Sequence, residues 1–180
     1  MEWFDSFLAE EGEEQARQLA VFWSNLFNTQ GAPLPETIYT SPLSRCLQTT
    51  DLSLHPVVPP PFRAIVKENL RERIADHTAD MRRTRTWIEA NWGPKGYVIE
   101  NGFLEEDYLG RVGRAFETDD DHLWREQQVL DDIWEEDEGQ FLSLVCHSFT
   151  IRMILVLSGL PGFRVKEASC IALLIKGEKL

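Results

Sequence analysis

The sequence predicts a single α/β domain over residues 1–180, with a mostly parallel sheet between helices on both faces. Short runs of β-branched and aromatic residues alternate with segments whose apolar residues recur every three or four positions. Turns rich in glycine and proline separate these segments. Strands that alternate with helices form three layers, because each crossover helix packs against the sheet. A chain with 43% hydrophobic residues can bury one core of this kind.

The elements predicted along the chain alternate between helix and strand. Helices are predicted over about 10–28, from Ser41 as N-cap and Pro42 onward, over 78–91 with Thr78 as cap, over 121–137 and over 148–158. Strands are predicted over 37–40, 62–68, 141–146 and 170–175. Four prolines exclude a helix from 55–61, and weak periodicity predicts an irregular insertion or lid over about 92–120.

Composition limits the partners that the chain is expected to bind. The formal net charge of −12 repels polyanions, so neither nucleic acid nor an anionic membrane is an expected partner. No segment approaches the ~18 apolar residues of a membrane helix, and the N-terminus has no basic region followed by an apolar stretch. We therefore expect a cytoplasmic protein. The acidic runs at 117–121 and 131–138 are expected to be solvated.

Neither a metal nor a cofactor is expected. Cys46, Cys146 and Cys170 are an odd number of cysteines without paired metal-ligand spacing, which is typical of reduced, packed thiols. No glycine-rich nucleotide-binding pattern occurs either. The expected partner is a small-molecule substrate.

His147 lies on the turn between a predicted strand and a predicted helix that opens at Ser148. Such a helix directs its unpaired amides and the positive end of its dipole at whatever lies beside His147. The segment 40–49 repeats this arrangement, with a strand, a Ser-Pro helix start and Arg45 one turn into the helix. Both turns are typical of anion-binding or catalytic sites.

These motifs resemble those of the histidine phosphatase (phosphoglycerate mutase-like) superfamily. The matching segments are Leu8 to Ala16, Ser41-Pro42-Leu43-Ser44-Arg45 with Gln48-Thr49, Leu70-Arg71-Glu72, and His147 with Arg152. The resemblance implies that Arg45 is a phosphate ligand, that Glu72 is a proton donor and that His147 is the second active-site histidine. The segment His77-Thr78 with Asp80, Arg82 and Arg83 is similar to fungal members in particular.

Two departures from the family pattern affect the predicted chemistry. The strand ending in Arg-His-Gly, whose histidine becomes phosphorylated, does not occur in the chain. Phe149 stands where the family usually has glycine, and a phenyl ring fills and dries the space that an anion would approach. The resemblance places the missing first strand inside the sheet, so either the sheet closes up or a homodimer partner covers the opening.

The departures lead to one main hypothesis: a repurposed enzyme that isomerises or cyclises an apolar small molecule in secondary metabolism. A shaped cavity holds the substrate, and His147, Arg45 or Glu72 donates a hydrogen bond or a proton. The residues expected to line the cavity are Phe149, His77, Ser148, Arg152, Trp3 and Phe4.

Two other functions stay open: a catalytically dead, phosphatase-like binding protein, and a truncated phosphatase or mutase acting on phosphate esters. Each site residue also has a structural interpretation. His147 is then a retained core residue, while Arg45 and Glu72 form ordinary salt bridges. His55 and His122 are expected at the surface.

Overall fold

The described residues, 3–75, 77–109 and 116–177 of a computed structural model, form four parallel strands in one sheet, ordered β3-β2-β1-β4. The strands are β1 (Thr37–Thr40), β2 (Ala64–Val66), β3 (Tyr97–Ile99) and β4 (Leu142–Val145). The helices are α1 (Glu10–Thr29), α2 (Ser44–Ser53), α3 (Arg85–Trp92), α4 (Asp119–Glu136) and α5 (Ser148–Leu157). The predicted α/β class with a parallel sheet is confirmed.

Apolar side chains of the sheet alternate between two faces and form a core on each. Ile38, Ala64 and Val66 pack with Leu47 of α2 and Ile88 of α3 on one face. On the other face, Tyr39 and Leu144 pack with side chains of α4, among them Val129 and Ile133. The sheet is thus the middle of three layers, because period-two alternation gives every strand two apolar faces.

Helix α2 begins later than the Ser-Pro signal predicts, because another residue caps it. The Ser41 hydroxyl accepts a hydrogen bond from the amide of Leu43 at 3.3 Å. Asp5, distant in sequence, accepts hydrogen bonds from the amide and the hydroxyl of Ser44, at 2.8 and 2.7 Å. A buried carboxylate therefore satisfies the first turn of the helix, and the regular helix starts at Ser44.

The region predicted as one helix over 78–91 is divided. Thr78–Asp80 forms a single 3₁₀ turn, and α3 starts only at Arg85. Its cap is Thr84, whose hydroxyl accepts a hydrogen bond from the amide of Trp87 at 3.2 Å.

The irregular assignment at 97–99 is wrong, since these residues form β3. A three-residue strand is too short to show a clear period. Gly96 precedes it with φ +95°, and a Cβ there would lie 2.2 Å from the carbonyl oxygen of Phe62. Glycine is required for this close approach. Residues 110–115 of the predicted lid lie outside the described residues, and the lid itself stays a prediction.

The strand predicted over 170–175 is also wrong, since these residues have no regular structure and Leu174 is fully exposed. Strand β4 pairs with β1 along one edge, and no described residue pairs with its other edge. An apolar segment cannot form a strand without a neighbour that satisfies its backbone groups. The prediction identified a suitable segment but not a partner for it.

Each strand of the described sheet is hydrogen-bonded to the next one, from β3 at one edge to β4 at the other. The described sheet therefore has no gap inside it where a strand is missing. Among the described residues, no helix combines the length and apolarity needed to cross a membrane.

Candidate active site

The predicted site residues follow three strands at the same edge of the sheet. Ser41 follows β1, Glu72 comes soon after β2, and His147 comes just after β4. Because the strands are parallel, their carboxyl ends meet at one edge. The topology therefore brings together segments that are up to about a hundred residues apart.

The imidazole of His147 is buried and has two polar neighbours. Its Nε2 lies 2.8 Å from the Ser41 hydroxyl and 3.4 Å from the Cys46 sulfur. Burial, assisted by the positive charge of Arg45, holds the pKa of His147 well below its usual value. The ring is thus neutral at physiological pH and carries one donor and one acceptor nitrogen.

Arg45 lies in the first turn of α2 and is partly exposed. Its guanidinium donates to Asp80 Oδ1 at 2.9 Å and to the carbonyl oxygen of Ala79 at 2.7 Å. A phosphate bound by Arg45 would have to share it with Asp80. The positive charge of Arg45 acts to lower the pKa of both His147 and Glu72, so the three residues are electrostatically coupled.

The carboxyl of Glu72 lies against the first turn of α5. Burial raises its pKa, while hydrogen bonds from the amides of Arg73 and Phe149 act in the opposite direction. The Arg73 amide donates to Oε1 at 2.9 Å. A carboxyl with a raised pKa holds its proton to higher pH, as a proton donor must.

Three of the other predicted residues, Ser148, Phe149 and Arg152, lie close together on α5. Ser148 and Phe149 are half-buried in the first turn of α5. The guanidinium carbons of Arg73 and Arg152 lie 5.7 and 5.9 Å from the centre of the Phe149 ring, so cations surround it. The expected apolar pocket around Phe149 stays a prediction, and the two cations beside the ring do not support it.

The contacts given for His147 do not include Trp3, Phe4 or His77. Trp3 and His77 are exposed. The half-buried ring of Phe4 lies 5.0 Å from the guanidinium carbon of Arg83. A cavity of about 310 Å³ is lined instead by residues of α1, α2 and α3 and their flanks: Phe7, Glu13, Gln48, Asp51, Leu52, Trp87, Asn91, Trp92 and Lys95.

Sequence reasoning missed a buried polar group on α4. His122, expected at the surface, is fully buried, and its Nε2 lies 3.1 Å from Glu126 Oε1. Burial lowers the pKa of His122 to about 4 and raises that of Glu126 to about 9. The two residues are four positions apart on a helix, and this spacing was the signal available in the sequence.

Within the described part of the chain, no group of histidine, cysteine or acidic side chains is arranged to hold a metal ion.

Comparison with known proteins identifies a family over nearly the whole chain. The sequence model of the histidine phosphatase superfamily (branch 1) matches residues 1–178. A probable phosphoglycerate mutase of Arthroderma benhamiae is 38% identical over 179 residues, which cover 98% of this chain and 52% of that protein. Phosphomutase-like protein 3 of Candida albicans is 28% identical, over 96% of this chain and 53% of that protein. The chain thus spans about half the length of these curated relatives.

Solved structures show the same fold at low sequence identity. An α-ribazole-5′-P phosphatase structure from Escherichia coli, itself described as putative, has a TM-score of 0.55 at 18% identity, covering 90% of this chain and 74% of that chain. A mycobacterial glucosyl-3-phosphoglycerate phosphatase in complex with inorganic phosphate has a TM-score of 0.54 at 19% identity, covering 89% and 73%.

These findings overturn the main functional hypothesis. The curated relatives are named as phosphoglycerate mutases or as phosphomutase-like, so the prediction of a cyclase or isomerase of apolar molecules in secondary metabolism is wrong. The match over residues 1–178, together with the shared fold, shows that the chain belongs to the histidine phosphatase superfamily, a superfamily of enzymes.

Proposed function

We propose that this chain carries the phosphate-binding and proton-transfer part of a phosphomonoester phosphatase or mutase site. The observation that supports this most is the convergence of Arg45, Glu72 and His147 at one edge of the sheet, beside the amino end of α5. The names of the curated relatives point to the same class of substrate.

Each of the three residues has a distinct role in this proposal. The guanidinium of Arg45 and those first amides of α5 that do not bond Glu72 bind the phosphate oxygens. His147, neutral, donates one N–H to the phosphoryl group as charge develops on it. Glu72 gives its proton to the leaving oxygen when the phosphorus–oxygen bond breaks.

The nucleophile must come from a strand that this chain does not contain. In the proposed reaction a histidine nitrogen attacks phosphorus, so the new nitrogen–phosphorus bond forms as the ester bond breaks. One edge of β4 pairs with no described residue, which supports this edge as the place for such a strand. Because β4 leads directly to His147, a strand docked parallel to it would end beside the phosphate site.

Helix α5 supports the same interpretation. Its sequence is apolar on nearly every side, yet Ile151 is half-buried and Val156 is 43% exposed. A helix of that composition is normally covered all round. The surface beside β4 and α5 therefore has apolar area for one more element, and a second copy of the chain would be the competing occupant.

The test is p-nitrophenyl phosphate hydrolysis by two proteins: the unmodified chain, and the same chain preceded by a strand ending in Arg-His-Gly. We expect no turnover by the first and measurable turnover by the second. The control replaces the added histidine with alanine and should abolish the activity. Turnover by the unmodified chain that His147→Ala removes would contradict the proposal, as would a restored protein that folds but stays inactive.

One observation favours a second candidate function, a phosphatase-like binding protein without catalysis. Arg45 bonds Asp80, and His147 contacts Ser41 and Cys46. Side chains of the protein therefore already occupy the polar groups that a substrate would bind. Phosphate binding by the restored chain without turnover would support this function.

A further inference from the structure

The segment that carries Glu72 is held in place by two side chains from distant positions. Residues 71–75 have no regular structure, so their backbone groups need partners other than a helix or a strand. Arg125 of α4 donates from Nη1 to the carbonyl oxygen of Arg71 at 3.0 Å, and from Nη2 toward that of Glu72 at 3.4 Å. Arg125 also donates to the carbonyl oxygen of Asn69.

Glu117 completes this arrangement. Its two carboxylate oxygens accept from Nε and Nη2 of Arg125 at 2.7 and 2.9 Å, which is a bidentate pair. One of these oxygens also accepts from the amide of Ile74 at 2.9 Å, and the Glu117 amide donates to the Ile74 carbonyl oxygen at 3.0 Å. The pair is buried, contrary to the expectation that the acidic run 117–121 is solvated throughout.

Helix α5 holds the same segment from the other side. The hydroxyl of Thr150 donates to the carbonyl oxygen of Arg71 at 2.8 Å. Thr150 lies one residue after Phe149, whose amide bonds the Glu72 carboxyl. The backbone before Glu72 and the side chain of Glu72 are therefore both fixed relative to the first turn of α5.

We propose that Arg125, oriented by Glu117, is a positioning residue: it holds the backbone of 69–74 so that the Glu72 carboxyl stays against the first turn of α5. The assignment of Glu72 as proton donor rests on the proposed function, but the positioning itself does not. Nη1 and Nη2 of Arg125 bond backbone oxygens of this segment, and Nε and Nη2 bond Glu117, so the whole fork of the guanidinium is used.

The pKa of Glu72 depends on the position of its backbone. Its carboxyl is influenced by the amides of Arg73 and Phe149, by Arg45 of α2 and by Asp80 of the 3₁₀ turn, and it in turn affects Glu126 of α4. Burial raises its pKa and the two amides lower it. If the backbone shifts so that these hydrogen bonds lengthen while the carboxyl stays buried, the pKa of Glu72 rises further.

The experiment is a pH titration of the Glu72 carboxyl carbon by NMR in the full chain, for the unmodified protein and for Arg125→Lys. Lysine keeps the charge but cannot make the forked set of bonds. We expect the midpoint for Glu72 to rise by about one pH unit. Glu72→Gln identifies the resonance.

Arg82→Lys is the matched control. Arg82 is as buried as Arg125 and donates to four carbonyl oxygens, which belong to Arg83, Leu104, Glu105 and Glu106, outside the Glu72 segment. It also pairs with Glu68 at 2.6 Å, and lysine keeps the charge for that pair. Both variants should lower the melting temperature, and only Arg125→Lys should move the Glu72 midpoint. An unchanged midpoint in folded Arg125→Lys, or an equal shift in Arg82→Lys, would overturn the proposal.

The Glu72 titration requires no turnover. A failure of the positioning proposal can therefore be told apart from a failure of the proposed function. A shifted midpoint in a chain that stays inactive after the strand is restored would leave the positioning role intact and count against phosphate chemistry alone.

Discussion

The two sides of the candidate site differ in how completely they are built. On the side of Glu72, buried ion pairs and hydrogen bonds from α4, α5 and the residues after β3 fix the backbone. On the side of β4, one strand edge has no described partner and the apolar α5 is partly uncovered. Under the proposed function, this chain forms the proton-transfer side of the site by itself, and the nucleophile would come from a further strand beside β4.

The largest expected effect comes from removing buried ion pairs on the Glu72 side of the site. Arg71 is fully buried and donates to Glu68 at 2.8 Å and to the two oxygens of Asp107 at 2.8 and 2.9 Å. Arg71→Met removes the bidentate cation from Asp107 and one of the two cations that bond Glu68, the other being Arg82. This loss should lower the free energy of unfolding by about 3–5 kcal/mol in urea denaturation. The control is Arg17→Met, whose exposed pair with Glu13 should contribute less than about 1 kcal/mol. Equal losses in the two variants would contradict the comparison.

A pair of truncations compares a covered helix with the uncovered one. Leu47 of α2 is fully buried, whereas Val156 of α5 is 43% exposed. Leu47→Ala should cost about 2–5 kcal/mol, and Val156→Ala less than about 1 kcal/mol, in the free energy of unfolding. When the missing strand is added, the cost of Val156→Ala should grow. No growth would mean that the strand does not cover α5.

The buried Glu126 predicts a dependence of stability on pH. Its pKa is about 9 in the folded chain, against an ordinary value of 4.5. The unfolded chain therefore releases this proton first, and the stability that the protonated carboxyl contributes falls as pH rises from about 4.5 to about 9.

Glu126→Gln removes that loss, because an amide has no proton to release. The variant should exceed the unmodified protein by on the order of 5 kcal/mol in unfolding free energy at pH 8, and should match it near pH 4. The measurement is chemical denaturation at both pH values. A variant that is less stable at pH 8 would show that Glu126 is ionised and paired with Arg125.

Much of the fold was predictable, because it depends on patterns within short segments. The apolar alternation at 37–40 and 141–146 and the helical spacing at 10–28 identified their elements. The segment 170–175 shows the limit of this approach. Its pattern suits a strand, but a strand also needs a neighbour, and the sequence of the segment contains no information about that.

The candidate site was predictable only in part, and the resemblance to the family supplied that part. It indicated Arg45, Glu72 and His147, which the structure places at one edge of the sheet. It could not indicate Asp5 as the cap of α2, or Arg125 and Glu117 as the support of Glu72, because these contacts join residues far apart in sequence. The error about function came from treating a missing strand as a change of chemistry.

Phosphate binding to the unmodified chain, measured by isothermal titration calorimetry, tests the central claim most directly. We expect saturable binding with one site per chain, unchanged by Arg17→Ala, an equal loss of charge on exposed α1. Arg45→Ala should weaken the binding by about tenfold or more, because it removes the guanidinium that bonds the phosphate. Absence of saturable binding, or equal weakening by both variants, would contradict the claim that this chain forms the phosphate-binding part of the site.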